Sequence, residues 1–128
     1  MIDDNKIDLL FHEKLIRNKS LSAHITPLSS ATDALQLLHI QYENETIPEN
    51  LVILLDIQMP VMDGLEFLSH LEKMPASVLR KIRVFCVSSA WNKATIKRCE
   101  SHPLVNGILD KPLNAEELIK LLEYTGTN

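Results

Sequence analysis

Three carboxylates, two hydroxyls and one lysine stand where apolar segments of this chain end: Asp3 and Asp4 after Met1-Ile2, Asp56 after Leu51-Val52-Ile53-Leu54-Leu55, Ser88 and Ser89 after Ile82 to Val87, and Lys111 after Val105 to Leu109. If those segments lie side by side, the six side chains share one crevice. Clustered carboxylates repel one another, so such a crevice needs a compensating cation. A hard oxygen-binding ion such as Mg²⁺ suits one or two carboxylates plus waters. The lysine adds a second, fixed positive charge. Together the cations could hold a phosphoryl group beside Asp56 and stabilise charge in a transition state. A carboxylate can attack phosphorus and form an aspartyl phosphate. Ser88 could donate a hydrogen bond to a phosphoryl oxygen.

The elements that must position these residues are legible in outline. The run Leu51 to Leu55 is continuously apolar, as expected of a parallel strand covered on both faces. Ile82 to Val87 and Val105 to Leu109 predict two more strands, and Ala23 to Leu28 a weaker one. Between them lie helical patterns. Ile7, Leu10, Phe11, Leu15 and Ile16 mark one face of a helix over residues 7–19, capped by Asn5 or Asp4. Ser30 caps a second helix through Ala34, Leu35, Leu37 and Leu38. Asp63 with Glu66, and Asn114 with Glu117, have the spacing of capping boxes for helices over 64–74 and 115–124. Asn92 opens a helix over 93–101. Residues 43–50, with Pro48, are a loop. Alternation of strand and helix implies an α/β domain with a doubly wound parallel sheet, helices on both faces, and ligands beyond the carboxyl ends of the strands.

Bulk composition sets the remaining bounds. The 128 residues suit one domain spanning 1–128. A net charge of -4 offers no basic surface for nucleic acid, and no residues are left over for a DNA-binding domain. No apolar stretch approaches the ~20 residues that cross a bilayer, and the N-terminus lacks a leader pattern, so a cytoplasmic location without membrane association is expected. Cys86 and Cys99 form no disulfide framework, and a buried thiol is the expected state of Cys86. The five histidines show no close metal-ligand spacing; His12 could face solvent on the first helix, and a structural role is the default for all five.

Taken together, Ile2-Asp3-Asp4, Leu54-Leu55-Asp56-Ile57-Gln58-Met59-Pro60, Met62-Asp63-Gly64, Val87-Ser88-Ser89 and Lys111-Pro112 resemble a bacterial response-regulator receiver domain of the single-domain chemotaxis-Y type. They occur in that family's order along essentially the whole chain. The resemblance implies a flavodoxin-like five-stranded sheet of order 2-1-3-4-5. It implies that Asp56 is the phosphoacceptor of a two-component phosphorelay and that Lys111 contacts the phosphoryl group and the acidic pair. Ser88 would be the switch hydroxyl. Mg²⁺, or Mn²⁺, would be bound by Asp4, Asp56 and the backbone carbonyl of Gln58, with Asp3 acting through water. The Lys111-Pro112 peptide would be cis. The implied partners are a sensor histidine kinase or histidine phosphotransfer protein, and a downstream protein target reached through the face built from residues 93–124. Such a domain catalyses only its own phosphorylation and dephosphorylation.

Three features depart from that family's pattern. The first strand is cut to Met1-Ile2, which would leave backbone groups of both neighbours unpaired and suggests a chain that starts upstream. Ile108 stands where an aromatic switch residue is frequent, and Trp91 lies close to the Ser88 loop. The loop at 43–50 is longer than usual, on the side away from the site.

Three other functions compete. A haloacid-dehalogenase-like phosphohydrolase wants a second acid two residues past the nucleophile, where this chain has Gln58. A flavodoxin-like cofactor binder wants a Ser/Thr/Gly-rich loop after the first strand, where this chain has Asp3-Asp4-Asn5. A receiver fold that is never phosphorylated would not need the full acid and lysine set. Singly, Asp3 and Asp4 could be helix caps, Lys111 a solvated charge, and Ser88 and Ser89 loop residues.

Overall fold

Apolar runs pair as parallel strands because covering helices can bury both of their faces. The computed structural model describes residues 1–3, 5–18, 25–57, 64–88, 93–111, 113–114, 116–117 and 120. In it β1 (Leu51–Asp56), β2 (Ile82–Ser88) and β3 (Val105–Asp110) form a parallel sheet in that order. The register sets Asp56 opposite Val87, and Ser88 opposite Asp110. The three strands therefore end level with one another. One irregularity, at Val84/Phe85, leaves Asn106 out of register. The Asn106 side chain accepts from the Val84 amide at 3.1 Å, so no ladder donor is stranded there.

The short N-terminal segment completes the sheet on its other side. Ile2 bridges Leu28 and Leu55, both in parallel. The Ile2 amide donates to Leu54 O and the Asp56 amide to Ile2 O, both at 2.8 Å. On the opposite edge the Leu28 amide donates to Met1 O, and the Asp3 amide to Leu28 O. The spatial order is thus the Leu28 segment, Ile2, β1, β2 and β3, which is the expected 2-1-3-4-5. Unpaired groups were expected beside the truncated strand. At the level of the site, three residues satisfy both neighbours instead.

Alternation along the strands divides the core into two. Ile53, Leu55, Val84 and Cys86 point toward α2 (Ala31–Glu43), α3 (Gly64–Leu71) and α5 (Lys93–Glu100), where they meet Leu35, Leu38, Phe67, Leu68 and Cys99. Leu54, Phe85 and Val87 point the other way, toward Ile16 of α1 (Lys6–Asn18) and Leu113. A short helix, α4 (Ala76–Leu79), follows α3. The single helix expected over 64–74 stops at Leu71, and Pro75 takes the position before the first turn of α4. The helix caps follow the sequence where they are described: Ser30 Oγ accepts from the Asp33 amide, and Asn5 Oδ1 from the amides of Ile7 and Asp8. Of the helix expected over 115–124, Asn114 Oδ1 accepts from the Glu116 amide, while most of its length lies outside the described residues.

Helix α1 departs from expectation in its rotation. Leu9, His12 and Ile16 are buried, whereas Ile7, Leu10 and Phe11 are 78%, 55% and 51% exposed. His12, which could have faced solvent, is only 3% exposed and takes the default structural role. Cys86 and Cys99 are both buried free thiols, and desolvation, followed by the influence of Cys99, pushes the Cys86 thiol up to about 12. Among the described residues no helix is long and apolar enough to cross a membrane.

Candidate functional site

Lys111 is the centre of the site. Its Nζ lies 2.8 Å from Asp3 Oδ2, 3.2 Å from Asp8 Oδ2 and 3.4 Å from Asp56 Oδ2. Asp3 and Asp56 are buried, and Lys111 is largely so. Burial disfavours the ammonium. The hydrogen bond to Asp3, the charges of Asp56 and Asp3, and the bond to Asp8 outweigh that penalty and hold its pKa well above the usual lysine range. Lys111 is therefore a fixed cation at any physiological pH.

The local chain makes this convergence unavoidable. Asp56 is the last residue of β1, and its amide is tied to Ile2 O, which delivers Asp3 alongside it. The Lys111 amide donates to Ser88 O at 2.8 Å, so the chain leaving β3 is pinned to the end of β2. Asp3 Oδ1 accepts from the Asn5 amide, linking the acid to the cap of α1. On the far side of Asp56, the Gly64 amide donates to Ile57 O at 2.9 Å. A Cβ on residue 64 would stand 3.0 Å from Ile57 Cα and 3.2 Å from Asp56 O. Glycine is what lets α3 begin this close to the acid.

Of the residues expected at the site, Asp3, Asp56 and Lys111 are brought together. Ser88 is buried at the end of β2, one backbone hydrogen bond from Lys111. Asp4, Gln58, Ser89, Trp91 and Pro112 lie outside the described residues, so the expected ligand roles of Asp4 and Gln58 and the cis peptide do too. Ile108 packs, partly buried, against the larger core cluster. Among the described residues, no three acidic, His or Cys side chains are grouped so as to hold a metal ion. The charge balance nevertheless fits a divalent cation. Three carboxylates around one ammonium leave two negative charges, with Asp3 and Asp56 buried and Asp8 partly exposed.

Two residues were missed by sequence reasoning. Asp8 is a third acid on Lys111, and His12 Nε2 accepts from the buried Leu113 amide at 3.4 Å. A void of about 10 Å³ is lined by Asp3, Asp56, His12 and Leu113 among others. The signal available in the sequence was the Asp8–His12 spacing of four, which places both on one side of a helix. It was hidden by the stronger apolar spacing of Ile7, Leu10 and Phe11.

Comparison with known proteins agrees with this fold. The family model described as "Response regulator receiver domain" matches residues 1–123. Response regulator Rcp1 of Synechocystis sp. is 27% identical over 124 residues, covering 96% of this chain and 82% of its own. A receiver protein of Dyadobacter fermentans is 34% identical with a TM-score of 0.82, covering 98% of this chain and 94% of its own. A two-component response regulator of Legionella pneumophila is 30% identical with a TM-score of 0.80, covering 99% of this chain and 95% of its own. A family match across nearly the whole chain, on a fold that gathers Asp3, Asp56 and Lys111 at the carboxyl ends of a parallel sheet, shows that this chain belongs to the response regulator receiver domains of two-component systems.

Proposed function

We propose that Asp56 accepts a phosphoryl group from a phosphohistidine, carried by a sensor histidine kinase or a histidine phosphotransfer protein, and that the modified domain signals by protein contact. The observation that carries this reading is the buried Asp3–Lys111–Asp56 cluster at the strand ends. An Asp56 carboxylate oxygen attacks phosphorus in line with the leaving imidazole nitrogen. The P–N bond breaks, a P–O bond forms, and the released nitrogen takes a proton from solvent. Lys111 holds a permanent positive charge where the phosphoryl oxygens arrive. Ser88, at the neighbouring strand end, would donate its hydroxyl to one of those oxygens.

Receiver domains as a family bind Mg²⁺, and the net negative cluster suits that ion or Mn²⁺. A bound divalent cation supplies neutralisation of the phosphoryl charge. Asp56 and Asp4 would hold it together with the Gln58 carbonyl, and Asp3 would act through water. The same negative charge favours cation binding before the anionic donor arrives. Target recognition is assigned to the face containing α5 and β3, which adjoins Ser88 and Lys111 through the ends of β2 and β3. With Ile108 in place of an aromatic, the change on that face comes from backbone and loop shifts rather than from a swinging ring.

The test is intact mass after incubation with Mg²⁺ and acetyl phosphate. A single added phosphate that is absent in Asp56→Asn supports the proposal. An unmodified parent protein would instead indicate a receiver fold used only for protein binding.

A further inference from the structure

We propose that Asp8 and His12, one turn apart on α1, are positioning residues that hold Lys111 and the main chain at Leu113 and so aim the Lys111 ammonium at the phosphoryl group on Asp56. The inference rests on the reading of Asp56 as the phosphoacceptor. It concerns two residues outside the acid and lysine set already assigned.

A lysine side chain has four rotatable carbons and a compact charge, and it does not aim itself. The contacts at 2.8 Å to Asp3 and 3.4 Å to Asp56 draw Lys111 Nζ into the pocket from two directions. Asp8 Oδ2, at 3.2 Å, draws it from a third, from a helix on one side of the sheet. The Asp8 backbone is itself fixed, because its amide donates to the Asn5 cap, whose own amide donates to Asp3. Three anchors from separate points of the chain define a position for Nζ.

His12, through its imidazole, holds the main chain at Leu113. Its Nε2 accepts from the Leu113 amide, two residues past Lys111 and buried with it. Without that acceptor, a buried donor beside the site would lose its partner. Burial of the imidazole favours the neutral form that can accept. Spacing of four puts Asp8 and His12 on one side of α1, so one rigid element grips the side chain at 111 and the main chain at 113. This agrees with the rotation of α1, which turns His12 inward and leaves Leu10 and Phe11 outside.

The experiment compares Asp8→Asn, His12→Leu and His12→Gln with the parent protein, each saturated with Mg²⁺. The readouts are the phosphorylation rate at saturating acetyl phosphate and the hydrogen-exchange rate of the Leu113 amide. Displacing a reacting group's partner by even an ångström can cost up to about a hundredfold in rate. We expect about a tenfold loss of rate in Asp8→Asn and His12→Leu. His12→Gln, which keeps an acceptor, should retain most of the parent rate. The Leu113 amide should exchange faster in His12→Leu than in His12→Gln. Asp8→Asn is nearly isosteric and sits at a partly exposed position, so it keeps the test alive if His12→Leu fails to fold. Rates within twofold of the parent in Asp8→Asn, or a rate that tracks thermal stability regardless of the acceptor at 12, would overturn the proposal. A parent protein that takes no phosphate on Asp56 would remove the underlying reading as well, so the two failures are distinguishable.

Discussion

Helices α1 and α2 have the same length, 13 residues, and opposite logic. Helix α2 buries Ala31, Ala34, Leu35 and Leu38, a stripe at i, i+3, i+4 and i+7, and faces the sheet as an amphipathic helix should. Helix α1 buries Leu9, His12 and Ile16 and leaves Ile7, Leu10 and Phe11 in solvent. Fully burying side chains of that size is worth about 1.5–3 kcal/mol each, so the apolar surface left out is not a small matter. Beside the buried Leu9 and Ile16, α1 carries a set of polar attachments. Asn5 is tied to Asp3, Asp8 to Lys111 and His12 to Leu113. The rotation of α2 follows the core alone, whereas α1 buries Leu9 and Ile16 and also meets the site.

If that contrast is right, the two helices should respond differently to truncation, and the largest effect belongs to α2. Leu38→Ala removes a side chain from the main core and should cost about 2–5 kcal/mol in denaturant unfolding. The next effect belongs to α3, which is also placed by the site. Gly64→Ala forces a methyl group against the Ile57 and Asp56 backbone and should cost about 1–3 kcal/mol. Unlike Leu38→Ala, it should also lower the yield of phosphorylated protein, because the backbone it displaces carries Asp56.

A smaller effect separates the helices by pH. Desolvation lowers the His12 pKa below its ordinary value of 6.5, against the raising influence of Asp8 and Asp3 and with a further lowering one from Lys111. The unfolded chain therefore binds this proton more readily than the native one. Stability from this residue is complete above about 6.5 and is lost as pH falls from there through the native-state value. Unfolding curves of the parent between pH 7 and 5, about the range in which histidine titrates, should shift to lower stability more steeply than those of His12→Gln. Equal slopes would mean that the imidazole does not hold α1. The smallest effect is expected on the outer face of α1. Leu10→Gln should change stability by no more than about 0.5 kcal/mol, which denaturant titration beside Leu38→Ala can show.

The sheet and its charged ends were legible because they depend on local rules. An apolar run that stops at a charged residue reports a strand buried on both faces and the place where it leaves the core, as at Asp56 and Lys111. The cap at Ser30 and the buried stripe of α2 follow from side-chain types and spacing alone. The rotation of α1 did not follow. Its apolar spacing points to one face, and tertiary contacts, those of Asp8 and His12 among them, turn it to another. The two-sided pairing of Ile2 was hidden for a related reason. A three-residue segment shows no periodicity, and its role rests on hydrogen bonds to Leu28, Leu54 and Asp56. The end of α3 at Leu71 was blurred by Met74, whose burial after the helix looks in sequence like one more turn.

The central claim is that the cluster around Lys111 exists to put a phosphoryl group on Asp56. The most direct measurement locates the modified residue. Protein treated with Mg²⁺ and acetyl phosphate is reduced with borohydride, which converts an aspartyl phosphate to homoserine, and is then mapped by peptide mass spectrometry. Conversion confined to position 56 is the expected result. Conversion at Asp3 or Asp8 instead, or none at any position, would contradict it.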